Sequence, residues 1–137
     1  MSAEEIKAIT GALNLRDRTL FVFGIRTGFR IHEALSLNVC DVFDGTNVRD
    51  VVKVGKANIK GKMASRSVPM HPEVVSLILE YLTSYPVRKL EYPLFRTSPV
   101  RRMRPRTFNL ALKKACLICK VDGDRVSSHS MRHVFIN

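Results

Sequence analysis

Residues 20–25, Leu-Phe-Val-Phe-Gly-Ile, form an unbroken apolar run that ends shortly before Gly28. An apolar segment with no polar face is stable only when other chain surrounds it, so the run predicts a core helix over 16–27. Gly28 reaches the left-handed conformation at no steric cost and is placed to end that helix. The run is far shorter than the ~20 residues a bilayer demands, and Met1-Ser2-Ala3-Glu4-Glu5 is no signal peptide. No membrane role is expected, and the chain reads as cytoplasmic.

Around this centre the pattern is mostly helical. Ser2-x-x-Glu5 is a capping-box sequence, in which each side chain satisfies the other residue's backbone N–H, and Ile6, Ile9 and Leu13 follow at helical spacing. A short helix is predicted over 30–37, with Ile31, Ala34, Leu35 and Leu37 apolar, and residues 38–46 read as loop. His71-Pro72-Glu73 opens another helix with Pro72 near its first turn, ending before Pro86. Thr107 is the expected cap of a helix carrying Phe108, Leu110, Ala111, Leu112, Ala115 and Leu117. Ser127 and Ser128 precede a last helix from about Ser130.

Between the helices, three strands are predicted over 48–54, 57–60 and 66–70, with a turn at 61–65. The fold class is therefore mainly α with a small antiparallel three-stranded sheet. At 137 residues, one domain buries roughly two-thirds of its unfolded surface, enough to fold without disulfides. Cys40, Cys116 and Cys119 are an odd set with no second Cys/His pair at metal-site spacing, so they read as small apolar groups and no metal or other cofactor is expected.

The formal charge of +11 creates a field that attracts polyanions. Five arginines, at 96, 101, 102, 104 and 106, fall within eleven residues. A solvated loop is the bland reading of such a cluster; with this net charge, Arg101, Arg102, Arg104 and Arg106 are expected to lie along a DNA phosphate backbone. Double-stranded DNA is the expected partner.

Two strings carry candidate chemistry: Thr27-Gly28-Phe29-Arg30-Ile31-His32-Glu33 and His129-Ser130-Met131-Arg132-His133. His129 and Arg132, three apart at a helix start, project to one side. An arginine's planar fork holds two phosphate oxygens, so Arg30 and Arg132 together suit a phosphodiester and the charge of its transition state, with a histidine able to move a proton. Taken singly, Arg30 pairing with Glu33 and His129 capping a helix are the structural alternatives.

The order of these signals, Thr-Gly-x-Arg-x-x-Glu, then a lysine-bearing hairpin ending Val68-Pro69, then His-x-x-Arg-His, resembles the tyrosine recombinase (phage integrase) family. The resemblance runs from Glu4 through 30–37 to Asp41, the hairpin, and His129 to Phe135. It implies the catalytic-domain fold of DNA breaking-rejoining enzymes and site-specific recombination or integration of DNA through a 3′-phosphotyrosyl intermediate, without metal or high-energy cofactor. Arg30 and Arg132 match the two catalytic arginines, and His129 the histidine that assists proton transfer. Lys60 matches the hairpin lysine that protonates the leaving 5′ oxygen, with Lys56 and Lys62 as the other candidates. Glu33 matches the acidic residue that orients Arg30, and His32 is assigned no role.

The family's nucleophilic tyrosine follows its second arginine, whereas Tyr81, Tyr85 and Tyr92 all precede His129. The final segment, with Met131, Val134 and Phe135 on one stripe and no Gly or basic cap, reads as cut within a helix. Residues 1–137 are thus expected to be one catalytic-domain fragment, without the N-terminal core-binding domain or the tyrosine, and unable to cleave alone. A homo-oligomer on DNA or through the exposed last helix, and a nucleoid location, complete the expectation. The alternative is a non-catalytic DNA-binding or interfering module that retains only the phosphate grip.

Overall fold

The computed structural model describes residues 2–53 and 67–121. The lysines at 56, 60 and 62, the strand expected over 57–60, and His129, Arg132 and the last helix lie outside them.

Helix α1 spans Ala3–Ala12 and starts with the expected capping box: Glu5 N–H donates to Ser2 Oγ at 3.1 Å and Ser2 N–H to Glu5 Oε1 at 2.9 Å. Helix α2, Leu15–Thr27, is capped by Asn14, whose Oδ1 accepts from Asp17 N–H at 2.9 Å. It ends at Gly28 with φ 74°, the left-handed cap that an L side chain would strain. Every residue of the 20–25 run is buried, so α2 is the core helix. Its Thr19 and Thr27 hydroxyls donate back to the Leu15 and Phe23 carbonyls at 2.7 Å, which lets both threonines sit inside without unmet polar groups.

Helix α3 is short, Ile31–Leu35, and a further helix, α4, covers Val39–Val42. The expected loop over 38–46 is corrected here. Asn38 N–H donates to Asp41 Oδ2 at 2.7 Å, and burial of Val39 and Val42 holds the turn, while four residues are too few to show periodicity. The chain then turns at Gly45, φ 103°. Asp44 Oδ1 accepts from Asn47 and Thr46 N–H, and these contacts lower its pKa from 3.8.

Strands β1, Val51–Lys53, and β2, Ser67–Pro69, pair antiparallel with Val52 opposite Val68. Among the described residues this is a two-stranded sheet, its buried Val52 facing the core. Helix α5, Pro72–Ser84, has Pro in its first turn, and His71 Nδ1 accepts from Glu73 N–H at 3.1 Å. It packs along α2 through Val74, Ile78, Tyr81 and Leu82.

Helix α6, Pro105–Cys119, starts two residues before Thr107, which corrects the expected cap. Proline lacks the N–H that a first turn leaves unpaired and already has helical φ, so Pro105 sets the start and Arg104 becomes the residue before it. Phe108, Leu112, Ala115 and Cys116 face inward; Cys119 Sγ donates to the Ala8 carbonyl, tying α6 to α1. Fully buried Phe21, Phe23, Phe29, Phe95 and Phe108 fill the centre, each contributing about 1.5–3 kcal/mol by leaving water.

Candidate functional site

The chain leaves α2 at Gly28 and crosses the core once more at Phe29, whose ring meets Phe23 edge-on at 5.2 Å. Arg30 follows in extended conformation, φ −72° and ψ 153°, immediately before α3. Its neighbours Phe29 and Ile31 are 0% and 3% exposed, so the Arg30 backbone is pinned from both sides while its side chain stands in solvent. Arg30 N–H donates to Glu33 Oε1 at 2.8 Å, and the Arg30 carbonyl accepts from Ala34 N–H at 2.9 Å. Glu33 thus contacts Arg30 through the arginine's backbone. Among the described residues the Arg30 guanidinium makes no hydrogen bond or ion pair.

The arginine-bearing segment before α6 is anchored by buried Leu94, Phe95 and Met103, and by a bridge that pairs Arg96 with Arg102. Its five arginines divide into two groups. Arg96 turns inward: its guanidinium donates to the Pro93 and Tyr85 carbonyls and lies 5.7 Å from the centre of the Tyr81 ring. Arg102 donates through Nη1 to the carbonyls of Leu35 at 2.7 Å and Leu37 at 2.9 Å, and through Nη2 to Asn38 Oδ1. Arg101, Arg104 and Arg106 are exposed, and their guanidinium groups make no hydrogen bond among the described residues.

Arg101, Arg102 and Arg104 line one side of an open groove of about 610 Å³, and His32 of α3 and Ser36 at its C-terminal cap line the other. The structure thus brings one end of the arginine cluster to the helix that begins at Arg30. His32 was not singled out by the sequence. Its spacing to Ser36 put the two on one helical face, but only the fold shows that this face meets residues 101–104. The His32 imidazole adds a hydrogen-bonding group to the groove wall. Of the remaining candidate residues, Lys60 with its alternatives Lys56 and Lys62, His129 and Arg132 lie outside the described residues.

A second cavity of about 430 Å³ is lined by Arg16, Tyr81, Tyr85 and Arg96. Its cations are used internally: Arg16 pairs with the buried Asp17 at 3.0 Å, and Arg96 holds the two carbonyls described above. Burial pushes the Tyr81 phenol above its usual 10.0, with the Arg96 charge acting the other way. Such a cavity has the character of a braced core edge. Among the described residues no group of three or more His, Cys, Asp or Glu side chains is arranged to hold a metal ion, and no helix is long and apolar enough to cross a membrane.

Over residues 1–137 the chain matches the model of the phage integrase family. It is 31% identical over 124 residues to tyrosine recombinase XerC of Rickettsia canadensis (strain McKiel), a match covering 90% of this chain and 38% of that protein. Tyrosine recombinase XerD of Yersinia pestis is 29% identical over 127 residues, covering 90% of this chain and 40% of that protein. The chain therefore spans about two-fifths of the length of these curated relatives. Among solved structures, the crystal structure of XerA recombinase superposes with a TM-score of 0.75 at 22% identity, covering 98% of this chain and 48% of that one. This likeness shows a shared fold.

Proposed function

The chain belongs to the phage integrase family, and we propose that it is the phosphate-gripping catalytic domain of a site-specific DNA recombinase or integrase. The observation that carries the reading is Arg30: its backbone is fixed by Phe29, Ile31 and Glu33, while its guanidinium is exposed and uncommitted among the described residues. A planar cation held in this way suits two oxygens of one phosphodiester, and pre-orientation lowers the entropy cost of capture. Arg132 would be the second clamp, His129 would assist proton transfer at the nucleophile, and Lys60 on the hairpin would protonate the leaving 5′ oxygen. Lys56 and Lys62 are the alternatives for that last role. A three-stranded sheet, with a further strand over 57–60, belongs to the same reading.

In this scheme a tyrosine oxygen attacks the phosphorus, the bond to the 5′ oxygen breaks, and the 3′ end is held as a phosphotyrosyl ester until a second 5′ hydroxyl resolves it. Clamping arginines stabilise the charge that grows on the non-bridging oxygens. The nucleophile is none of Tyr81, Tyr85 and Tyr92; a tyrosine following Arg132 in a longer product of the same gene would supply it. Exposed Arg101, Arg104 and Arg106 carry the flanking DNA backbone, with His32 on the facing wall of the groove. Self-association on DNA fits the exposed Leu117 and Ile118 of α6, and the reading places the protein in the cytoplasm with the nucleoid.

Covalent trapping on nicked duplex DNA tests this. A gene product extended to include a tyrosine after Arg132 is expected to form a protein–DNA adduct, and the 137-residue chain none. Absence of any adduct with the extended product would contradict the recombinase reading.

A further inference from the structure

Arg102 reaches back more than sixty positions to the far end of the helix that begins at Arg30. Its Nη1 bridges the Leu35 and Leu37 carbonyls and its Nη2 meets the Asn38 side chain. The Leu35 carbonyl lies where α3 runs out of internal donors, and Leu37 follows just past the helix cap. The Leu37 carbonyl also accepts from Leu94 N–H at 3.0 Å, so the same point is held twice by the segment that carries the arginines. Helix α3 has five residues and is far too short to be stable on its own. Burial of Ile31, Ala34 and Leu35 seats it on the core, and its two ends are held by the buried Phe29 before Arg30 and by Arg102 at the other.

We propose that Arg102 is a positioning residue for Arg30, acting through α3, rather than one more contact to the DNA backbone. This role rests on the reading of Arg30 as a phosphate ligand. Arg102 is exposed like its neighbours Arg101 and Arg104, but two of its guanidinium's three nitrogens are already engaged by the protein's own acceptors, and theirs are not among the described residues. Because Arg101 and Arg102 are adjacent in sequence, a phosphate captured by Arg101 pulls on the same short segment that fixes α3. Backbone capture along the groove and orientation of Arg30 are thereby mechanically linked.

Lysine at 102 separates the two roles. It keeps the charge, so a phosphate contact would largely survive, but a single ammonium on a flexible stem does not reproduce a planar fork bridging two carbonyls and an amide. In the 137-residue chain, Arg102→Lys is expected to speed hydrogen exchange at the Arg30 and Ala34 amides by roughly fivefold or more, with the α5 amides unchanged. Affinity for a short mixed-sequence DNA duplex is expected to fall by a comparable factor, roughly fivefold. In an Arg30→Ala background the Arg102→Lys change should cost no further affinity, because the two act in series.

Unchanged exchange at Arg30, unchanged affinity, or losses that simply add would each overturn the positioning role. A wild-type chain that does not bind the duplex would overturn the functional reading and this role with it, whereas binding with an unaffected lysine variant overturns this role alone. Should Arg102→Lys fold poorly, Asn38→Ala removes one acceptor and is expected to produce the same two changes at smaller size; an Asn38→Ala protein without them counts against the clamp.

Discussion

The backbone N–H of Arg30 donates to Oε1 of Glu33 at 2.8 Å, so an acid three positions along the chain ties down the backbone from which this arginine projects. A hydrogen bond of this kind needs an acceptor and not a charge. Glutamine supplies one and alanine does not. Both substitutions remove the same negative charge, so any general gain in attraction for DNA cancels between them. Glu33→Ala is expected to lose about 1 kcal/mol of stability relative to Glu33→Gln in urea unfolding, and to bind duplex DNA more weakly than the glutamine variant. Equal affinities for the two would show that the contact does not orient Arg30.

The arginine cluster is expected to split in function as it splits in structure. Exposed Arg101, Arg104 and Arg106, each changed to alanine, should lower DNA affinity and reduce the salt dependence of log K by about 0.9 apiece, the signature of one released counterion. Buried Arg96 is different: removing its guanidinium strands the Pro93 and Tyr85 carbonyls and bares the Tyr81 ring. Arg96→Ala should cost about 3 kcal/mol of stability and leave the salt slope of the folded fraction where it was. Salt titrations of binding beside urea melts separate the two behaviours.

This division also marks where the sequence stopped being readable. Local signals carried α1, α2 and α5, because a capping box, a left-handed glycine and a first-turn proline act within a few residues of themselves. Helix α4 was missed because its Asn38–Asp41 contact spans a single turn, and the start of α6 was misplaced because Pro105 governs it rather than Thr107. Charge density named the arginine cluster as a whole, yet nothing local distinguishes buried Arg96 and exposed Arg102, whose guanidinium groups hold backbone carbonyls, from Arg101, Arg104 and Arg106. What decides is the position of carbonyls that are distant in sequence, at Leu35 and Leu37 for Arg102. The same long-range packing brought His32 to the groove, where its helical spacing alone had no meaning.

Tyr81 gives a pH prediction with a definite sign. Burial raises its pKa above 10.0, so the native phenol keeps its proton where the unfolded one has lost it. Its contribution is fully present below pH 10.0 and is lost as pH rises from there toward the native pKa, by up to about 1.4 kcal/mol per pH unit. Tyr81→Phe should remove that alkaline slope while leaving the rest of the stability profile in place. Urea melts of both proteins from pH 8 to pH 11 would show it; parallel profiles would mean that the phenol ionises as freely in the native state as in the unfolded chain.

The role of Arg30 is tested most directly by measuring binding of the 137-residue chain to duplex DNA across a salt series, with Arg30 intact and with Arg30→Ala. Loss of a charge-assisted phosphate contact is expected to weaken binding roughly tenfold at low salt. The log–log salt slope should become shallower by about 0.9, with no change in preference among DNA sequences, because phosphate contacts carry no sequence information. An alanine variant that binds as tightly and with the same slope as the parent would contradict the phosphate grip.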